Sequence, residues 1–180
     1  MTGFLKKKIK IRPVGVGTMN LTKLFDLQAE LDFEIENKHD LISEDLVDKK
    51  VLALLVEVGE LVNEIRFFKY WSIKPPSSRE TILEEYVDGF HFILSLGLDL
   101  GFDSSINLFT INSGNDFTQQ FIVVYNIILQ FSKTRATEDY KALFSNYLLL
   151  GEMLGYSDKE IEEAYLLKNK LNHERQEQGY

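Results

Sequence analysis

The sequence predicts an all-α fold, a single bundle of about six helices, and three observations carry that expectation. Apolar residues recur at spacings of three and four through successive segments, the period of a helix with one buried face. Ser77-Ser78-Arg79-Glu80 and Ser157-Asp158-Lys159-Glu160 have the S-x-x-E form of a capping box, which marks helix starts. A chain of 180 residues with 44% hydrophobic content is long enough for one domain with a real core, and no internal repeat or second domain boundary interrupts it.

Taken in order, residues 1–18 carry Lys6, Lys7, Lys8, Lys10 and Arg12 with no acid, and read as a disordered basic leader or a segment foreign to the fold, with Met19 as a plausible natural start. The folded domain is expected over 19–180. Leu21, Leu24, Phe25, Gln28 and Leu31 set the stripe of a first helix, and Gln28 and Asp32 fall on or beside it, either satisfied at a helix edge or facing a ligand. Lys38 to Leu41 reads as a connection, and Ser43 as the cap of a second helix running to about Lys69. Pro75-Pro76 breaks the chain, and a third helix is expected from Ser77 toward Gly101. Residues 102–115 read as a long loop with a strand-like turn near Phe109. A fourth helix follows over Phe117 to Phe131, a fifth from a Thr137 cap to about Leu154, and a last one after Ser157.

Composition excludes several classes of function. With no cysteine, the chain has no disulfide, thiolate zinc site or cysteine nucleophile, a composition that suits a reducing cytoplasm. A formal net charge of -8 opposes non-specific binding to nucleic acid or to an anionic membrane. The apolar runs are too short and too often charged to span a bilayer.

The second and third helices hold the chemistry. Leu52 to Glu64 is a nearly continuous apolar run in which Glu57, Glu60 and Glu64 share one helical face; Glu85 and Asp88 repeat the device at i, i+3 in another apolar run. A buried ionised carboxylate costs several kcal/mol unless paired, so this pattern asks for a cation. Packed antiparallel, the two helices would turn the carboxylate pairs toward each other and offer oxygen ligands to magnesium, with manganese as a possible substitute. Two solvated acidic faces are the bland reading. Such a cavity can hydrolyse a phosphoanhydride without a protein nucleophile, since bound ions stabilise phosphate charge and acidify water. The absence of a G-x-S-x-G elbow and of a Walker loop is consistent with that. Trp71, in the aromatic cluster Phe67-Phe68-Lys69-Tyr70-Trp71, reads as a core plug or as a wall of a base pocket. Lys168, Asn172 and Arg175 project from one face of the last helix, as a basic lip or as ordinary solvated charge.

Glu57-x-x-Glu60 followed by Glu85-x-x-Asp88 resembles the ExxE and ExxD pair of the all-α nucleoside triphosphate pyrophosphatases, the MazG-like superfamily. The chain is most similar to the dimeric dUTPases of bacterial and phage type. That likeness rests further on Leu27-Gln28, Phe68-Lys69-Tyr70-Trp71, Asp88-x-x-His91 and the tail Lys168-Asn169-x-x-Asn172-x-x-Arg175-Gln176-x-x-Gly179-Tyr180, and spans about residues 19–180. The resemblance implies magnesium-dependent hydrolysis of dUTP, and of dUDP, to dUMP by a homodimer. Glu57, Glu60, Glu85 and Asp88 would ligate the ions, with Glu57 or Glu60 positioning the attacking water. Gln28, Trp71 and Asn172 would frame uracil, His91 would touch the nucleoside, Lys69 would take part in substrate binding, and Lys168, Asn169 and Arg175 would hold phosphates. Asp32 stands where a base-facing asparagine is expected.

Three other readings compete. A related pyrophosphatase could act on dCTP or a damaged nucleotide. A ferritin-like di-iron bundle is suggested by Asp88-x-x-His91, but Glu57 has no histidine three residues on, whereas that architecture wants Glu-x-x-His from each of two helices. A helical interaction module would leave the carboxylates without catalytic use.

Overall fold

A computed structural model of the chain describes residues 19–102, 105, 108–109, 111 and 114–179. The basic leader, Tyr180 and part of the 102–115 connection lie outside the described residues. Six helices make up the fold: α1 (Leu21–Lys38), α2 (Val47–Ile65), α3 (Arg79–Asp99), α4 (Phe117–Thr134), α5 (Thr137–Met153) and α6 (Asp158–Glu177). The all-α bundle predicted from periodicity is therefore what the chain forms. Within the connection, Phe109 carries an isolated bridge, and its backbone N–H donates to Ser145 Oγ at 2.8 Å.

α3 is the central rod. It packs against α1, α2, α5 and α6, and its apolar residues Val87, Phe90, Ile93, Leu94 and Leu96 are essentially removed from solvent. Cross-helix contacts give the directions. Lys50 near the start of α2 pairs with Asp99 at the end of α3, and the backbone N–H of Ser77 before α3 donates to the Glu64 carbonyl near the end of α2, so the two run antiparallel. Gln28 and Asp32 on α1 meet His91 and Ser95 on α3 in the same order, so α1 and α3 run parallel with α2 beside them. α6 completes the group through Tyr165, whose hydroxyl reaches the Leu24 carbonyl and Gln28 Oε1.

α5 closes on α3 through tyrosine and glycine. Tyr147 Oη donates to the Tyr86 carbonyl at 2.7 Å, and Tyr86 Oη to the Tyr147 carbonyl at 3.2 Å. A Cβ on Gly89 would lie 2.2 Å from that Tyr147 oxygen. Glycine inside a helix costs about 1 kcal/mol against alanine, and here its bare backbone lets a buried hydroxyl reach a carbonyl. The same contact fixes α3 next to Asp88.

Several boundaries differ from the sequence expectation. Ser43 does not cap α2, which begins four residues later without a side-chain cap. That helix ends at Ile65, well before Lys69, because Arg66 takes a left-handed conformation (φ 64°). Ser78, not Ser77, caps α3 by accepting from the Thr81 N–H; Ser77 Oγ instead donates to Glu64. Thr137 is the first residue of α5 rather than its cap. The capping box at Asp116 and Gln119 that opens α4 was hidden by the polar connection before it, whereas the Ser157–Glu160 box forms as expected.

Candidate active site

One cavity of about 440 Å³ opens between α1, α2, α3 and α6. Of the residues singled out in the sequence, Gln28, Asp32, Glu57, Asp88, His91, Lys168, Asn172 and Arg175 line it. Helical spacing explains the convergence, since Asp88, His91 and Ser95 lie three and four apart on α3, and Lys168, Asn172 and Arg175 four and three apart on α6.

At one end stand the carboxylates. Ligand oxygens of Glu57, Glu85 and Asp88 lie within 4.8 Å of one another. Burial, followed by repulsion from Asp88, Glu60 and Glu85, pushes the Glu57 carboxyl up to about 7. Burial and the charges of Glu60 and Asp88 do the same to Glu85, also to about 7. Asp88 is raised by burial, against the opposing pull of Lys168. That ammonium sits 2.7 Å from Asp88 Oδ2 and 2.9 Å from Glu84 Oε1. Glu60 is exposed and lies outside the trio, though its charge reaches both raised carboxyls. This donor set fits a hard divalent cation: clustered oxygens, half-buried, with more negative charge than the one nearby lysine neutralises.

Toward the other end the lining becomes amide, imidazole and hydroxyl. Gln28 Nε2 donates to Asp32 Oδ1 at 2.7 Å, and Gln28 Oε1 lies 2.8 Å from His91 Nδ1 and accepts from Tyr165 Oη at 2.9 Å. Ser95 Oγ donates to Asp32 Oδ2 at 2.6 Å. The His91 ring stacks on Tyr165 with centroids 4.1 Å apart, and burial, with repulsion from Lys168, lowers its pKa to about 3. Beyond them Lys50 is ringed by Asp99 (2.6 Å), Glu36 (3.3 Å) and Asp32 (3.7 Å).

Three of the predicted residues stand elsewhere. Asn169 is buried against α1, where its amide donates to the Leu27 carbonyl at 3.4 Å. Lys69 turns back to Asn63 and lies 5.4 Å from the Phe68 ring centroid. Trp71 is 66% exposed, edge-on to Phe68 and Tyr70, so it is not the core plug. That place belongs to Phe67, which packs on Phe117 and Phe121 at 5.6 and 5.5 Å. Sequence reasoning passed over Lys50 and Ser95, although a signal existed. Lys50 lies two turns before Glu57 and Ser95 two turns after Asp88, each on the face its carboxylate defines.

Among the described residues no helix is long and apolar enough to cross a membrane. No curated protein sequence matches the chain. A family model described as dUTPase matches residues 20–180, which takes in every residue of the cavity and of the carboxylate cluster. Matched over nearly its whole length by that model, and with six helices among the described residues, the chain belongs to the dUTPase family and is a dUTP diphosphatase.

Proposed function

We propose that the chain cleaves dUTP to dUMP and pyrophosphate, and accepts dUDP, with magnesium held by Glu57, Glu85 and Asp88 and with Glu60 at the rim. The observation that carries this reading is the convergence of three half-buried carboxylates from α2 and α3 at one end of a cavity whose other end is lined by amide and imidazole. Magnesium bound there would supply Lewis-acid stabilisation of phosphate charge and acidify water.

The remaining work falls to the chain itself. Glu57, which lines the cavity beside Asp88, accepts the proton of the attacking water. Lys168 and Arg175 face the triphosphate from α6. Lys168, held by Asp88 and Glu84 at the edge of the carboxylate cluster, is placed to exchange a carboxylate partner for a phosphate oxygen. Gln28, His91 and Asn172 contact the nucleoside, and Tyr165 beneath His91 keeps water from that end. Asn169 acts by fixing α6 on α1. Lys69 and Trp71 belong to the exposed stretch after α2, and in this reading they reach the nucleotide at the mouth of the site.

Asp32 bears on the choice of base. A carboxylate lining the base end could in principle accept from the amino group of cytosine, but its oxygens are already engaged by Gln28, Ser95 and Lys50. That engagement supports uracil over dCTP. A cytoplasmic homodimer completes the reading, in keeping with a cysteine-free chain and with exposed apolar side chains such as Leu52 and Val56 on α2 and Ile122 and Leu129 on α4. The test is hydrolysis by the purified chain with products identified, before and after magnesium is withdrawn with a chelator, together with sedimentation for the oligomeric state. Release of dUMP and pyrophosphate that stops with the chelator is expected. Turnover of dCTP well above dUTP, or turnover indifferent to the chelator, would overturn the assignment.

A further inference from the structure

We propose that Asp32, acting through Gln28, fixes His91 as the tautomer protonated on Nδ1, so that Nε2, left bare on a residue that lines the cavity, serves as the acceptor for a hydrogen-bond donor of the nucleoside. The proposal rests on the reading above that this end of the cavity receives the nucleoside. It makes Asp32 a positioning residue and His91 the group in contact with substrate.

The argument is a chain of forced donors and acceptors. Burial raises the Asp32 carboxyl above its ordinary range, but the Lys50 ammonium 3.7 Å away and the Ser95 hydroxyl donating at 2.6 Å oppose that rise and favour the carboxylate. A carboxylate only accepts, so the Gln28 atom 2.7 Å from it is the NH₂ group, and the opposite face of that amide presents Oε1. Tyr165 Oη donates to this oxygen, and burial pushes the phenol upward, so it keeps its proton. The same oxygen lies 2.8 Å from His91 Nδ1. An amide oxygen has no proton to give, so Nδ1 carries the hydrogen. His91 is neutral at physiological pH because burial holds its pKa near 3, and a neutral imidazole has one N–H. Nε2 is therefore bare.

That nitrogen is the one buried side-chain polar atom among the described residues with no hydrogen-bond partner, on a residue only 6% exposed. An unmatched buried acceptor costs about 1–3 kcal/mol, a cost that a donor from a ligand removes. The carboxylate cluster does not use Nε2, since the ligand atoms that lie together come from Glu57, Glu85 and Asp88. The two donors a deoxyuridine nucleotide can bring are the uracil imide N3–H and the 3′-hydroxyl. Cytosine has an acceptor at N3, so use of the imide would also discriminate between the bases.

Nitrogen-15 NMR of the histidine rings in the free protein decides the tautomer, with only two other histidines, His39 and His173, to assign by substitution. The expected spectrum at pH 7 shows a proton on Nδ1 of His91 and a pyridine-like Nε2. Asp32→Asn can present an NH₂ group to Gln28 and turn its amide over, so the Nε2–H form is expected to appear with helicity unchanged. Ser95→Ala removes a donor but leaves Asp32 a carboxylate, so the Nδ1–H form is expected to persist, which separates the charge of Asp32 from mere loss of a hydrogen bond. In kinetics, an analogue lacking the donor, either N3-methyl-dUTP or 3′-deoxy-dUTP, is expected to lose about tenfold in kcat/KM, and that gap narrows in Asp32→Asn. Whichever analogue loses identifies the donor. A proton on Nε2 in the unmodified chain, a tautomer indifferent to Asp32→Asn, or full activity with both analogues would overturn the proposal. The spectrum is taken without substrate, so a failure to hydrolyse dUTP would strike the functional assignment and leave this result standing.

Discussion

Two acidic clusters border the same cavity, and they differ in how their charge is balanced. At one end Asp32, Glu36 and Asp99 surround Lys50, within 2.6–3.7 Å of its ammonium. At the other Glu57, Glu85 and Asp88 crowd within 4.8 Å of one another, with Glu60 adding to the field and one lysine shared between Asp88 and Glu84. Burial raises carboxyls at both ends, Asp32 against the pull of Lys50, but at Glu57 and Glu85 repulsion from neighbouring carboxylates adds to burial and carries them to about 7. Carboxylates alone do not mark a cation site; a deficit of positive charge around them does. The Lys50 end carries its own cation and builds the pocket wall.

Exchanging the charge at each end should therefore give opposite results, and this is the largest effect expected. Glu57→Gln removes a proposed cation ligand and the proposed proton acceptor. It should lower kcat on the order of a thousandfold while the melting temperature holds or rises, because repulsion is relieved. Lys50→Met leaves three partly solvated carboxylates together without a cation and should cost about 1–3 kcal/mol in denaturant unfolding. If both variants lose stability to the same degree, or if Glu57→Gln keeps its turnover, the contrast between the ends collapses.

Packing offers a second, smaller test, since α3 carries carboxylates of both clusters. Gly89 stands beside Asp88 and admits the Tyr147 hydroxyl, so Gly89→Ala places a methyl where that oxygen lies. The expected cost is about 1–3 kcal/mol by thermal or denaturant unfolding, with α3 displaced from α5 and both ends of the cavity affected. A variant as stable as the parent would mean that the tyrosine yields without cost.

The carboxylates of the proposed cation site were legible in the sequence because charge inside an apolar helical run is anomalous in itself. Glu57, Glu85 and Asp88 needed only the period of the helix to be placed on one seam. Lys50 and Ser95 carried no such anomaly, since a lysine near a helix start and a serine in a helix are ordinary. Their meaning came from α1 lying parallel to α3, which no local pattern announces. The end of α2 failed for a different reason: apolar periodicity continued through Phe67 and Phe68, and only the left-handed turn at Arg66 stops the helix. Of the two readings of Trp71, the core plug fails, since the indole is left outside while the partly buried Phe67 packs against Phe121.

The deficit of positive charge also makes a pH prediction for the metal-free chain. A carboxyl raised in the folded state holds a proton that the unfolded chain has released. Stability from Glu57 and Glu85 is therefore fully present below about 4.5 and is lost as pH rises through about 7. Both side chains are partly solvated, so after screening the loss is on the order of 1–2 kcal/mol. Melting temperatures taken with a chelator should fall between pH 5 and pH 8, and magnesium should restore them at pH 8 more than at pH 5. A metal-free profile that rises across this window would mean that Lys168 already balances the cluster.

The smallest stability effect is expected outside both clusters, at Trp71. Its ring is 66% exposed and touches only Phe68 and Tyr70 among the ring contacts of the described residues, so Trp71→Ala should change unfolding free energy by less than about 0.5 kcal/mol. Binding should be affected more than folding, with KM for dUTP raised severalfold if the stretch after α2 folds over the nucleotide. As the chain's single tryptophan, it reports on itself. Titration with a non-hydrolysable α,β-imido-dUTP and magnesium should shift its emission to shorter wavelength as the indole leaves water, and Glu57→Gln should weaken the response in step with weakened binding. Emission unchanged at saturating nucleotide would leave Trp71 in solvent throughout. The amide and imidazole end of the cavity would then hold the base without an aromatic wall.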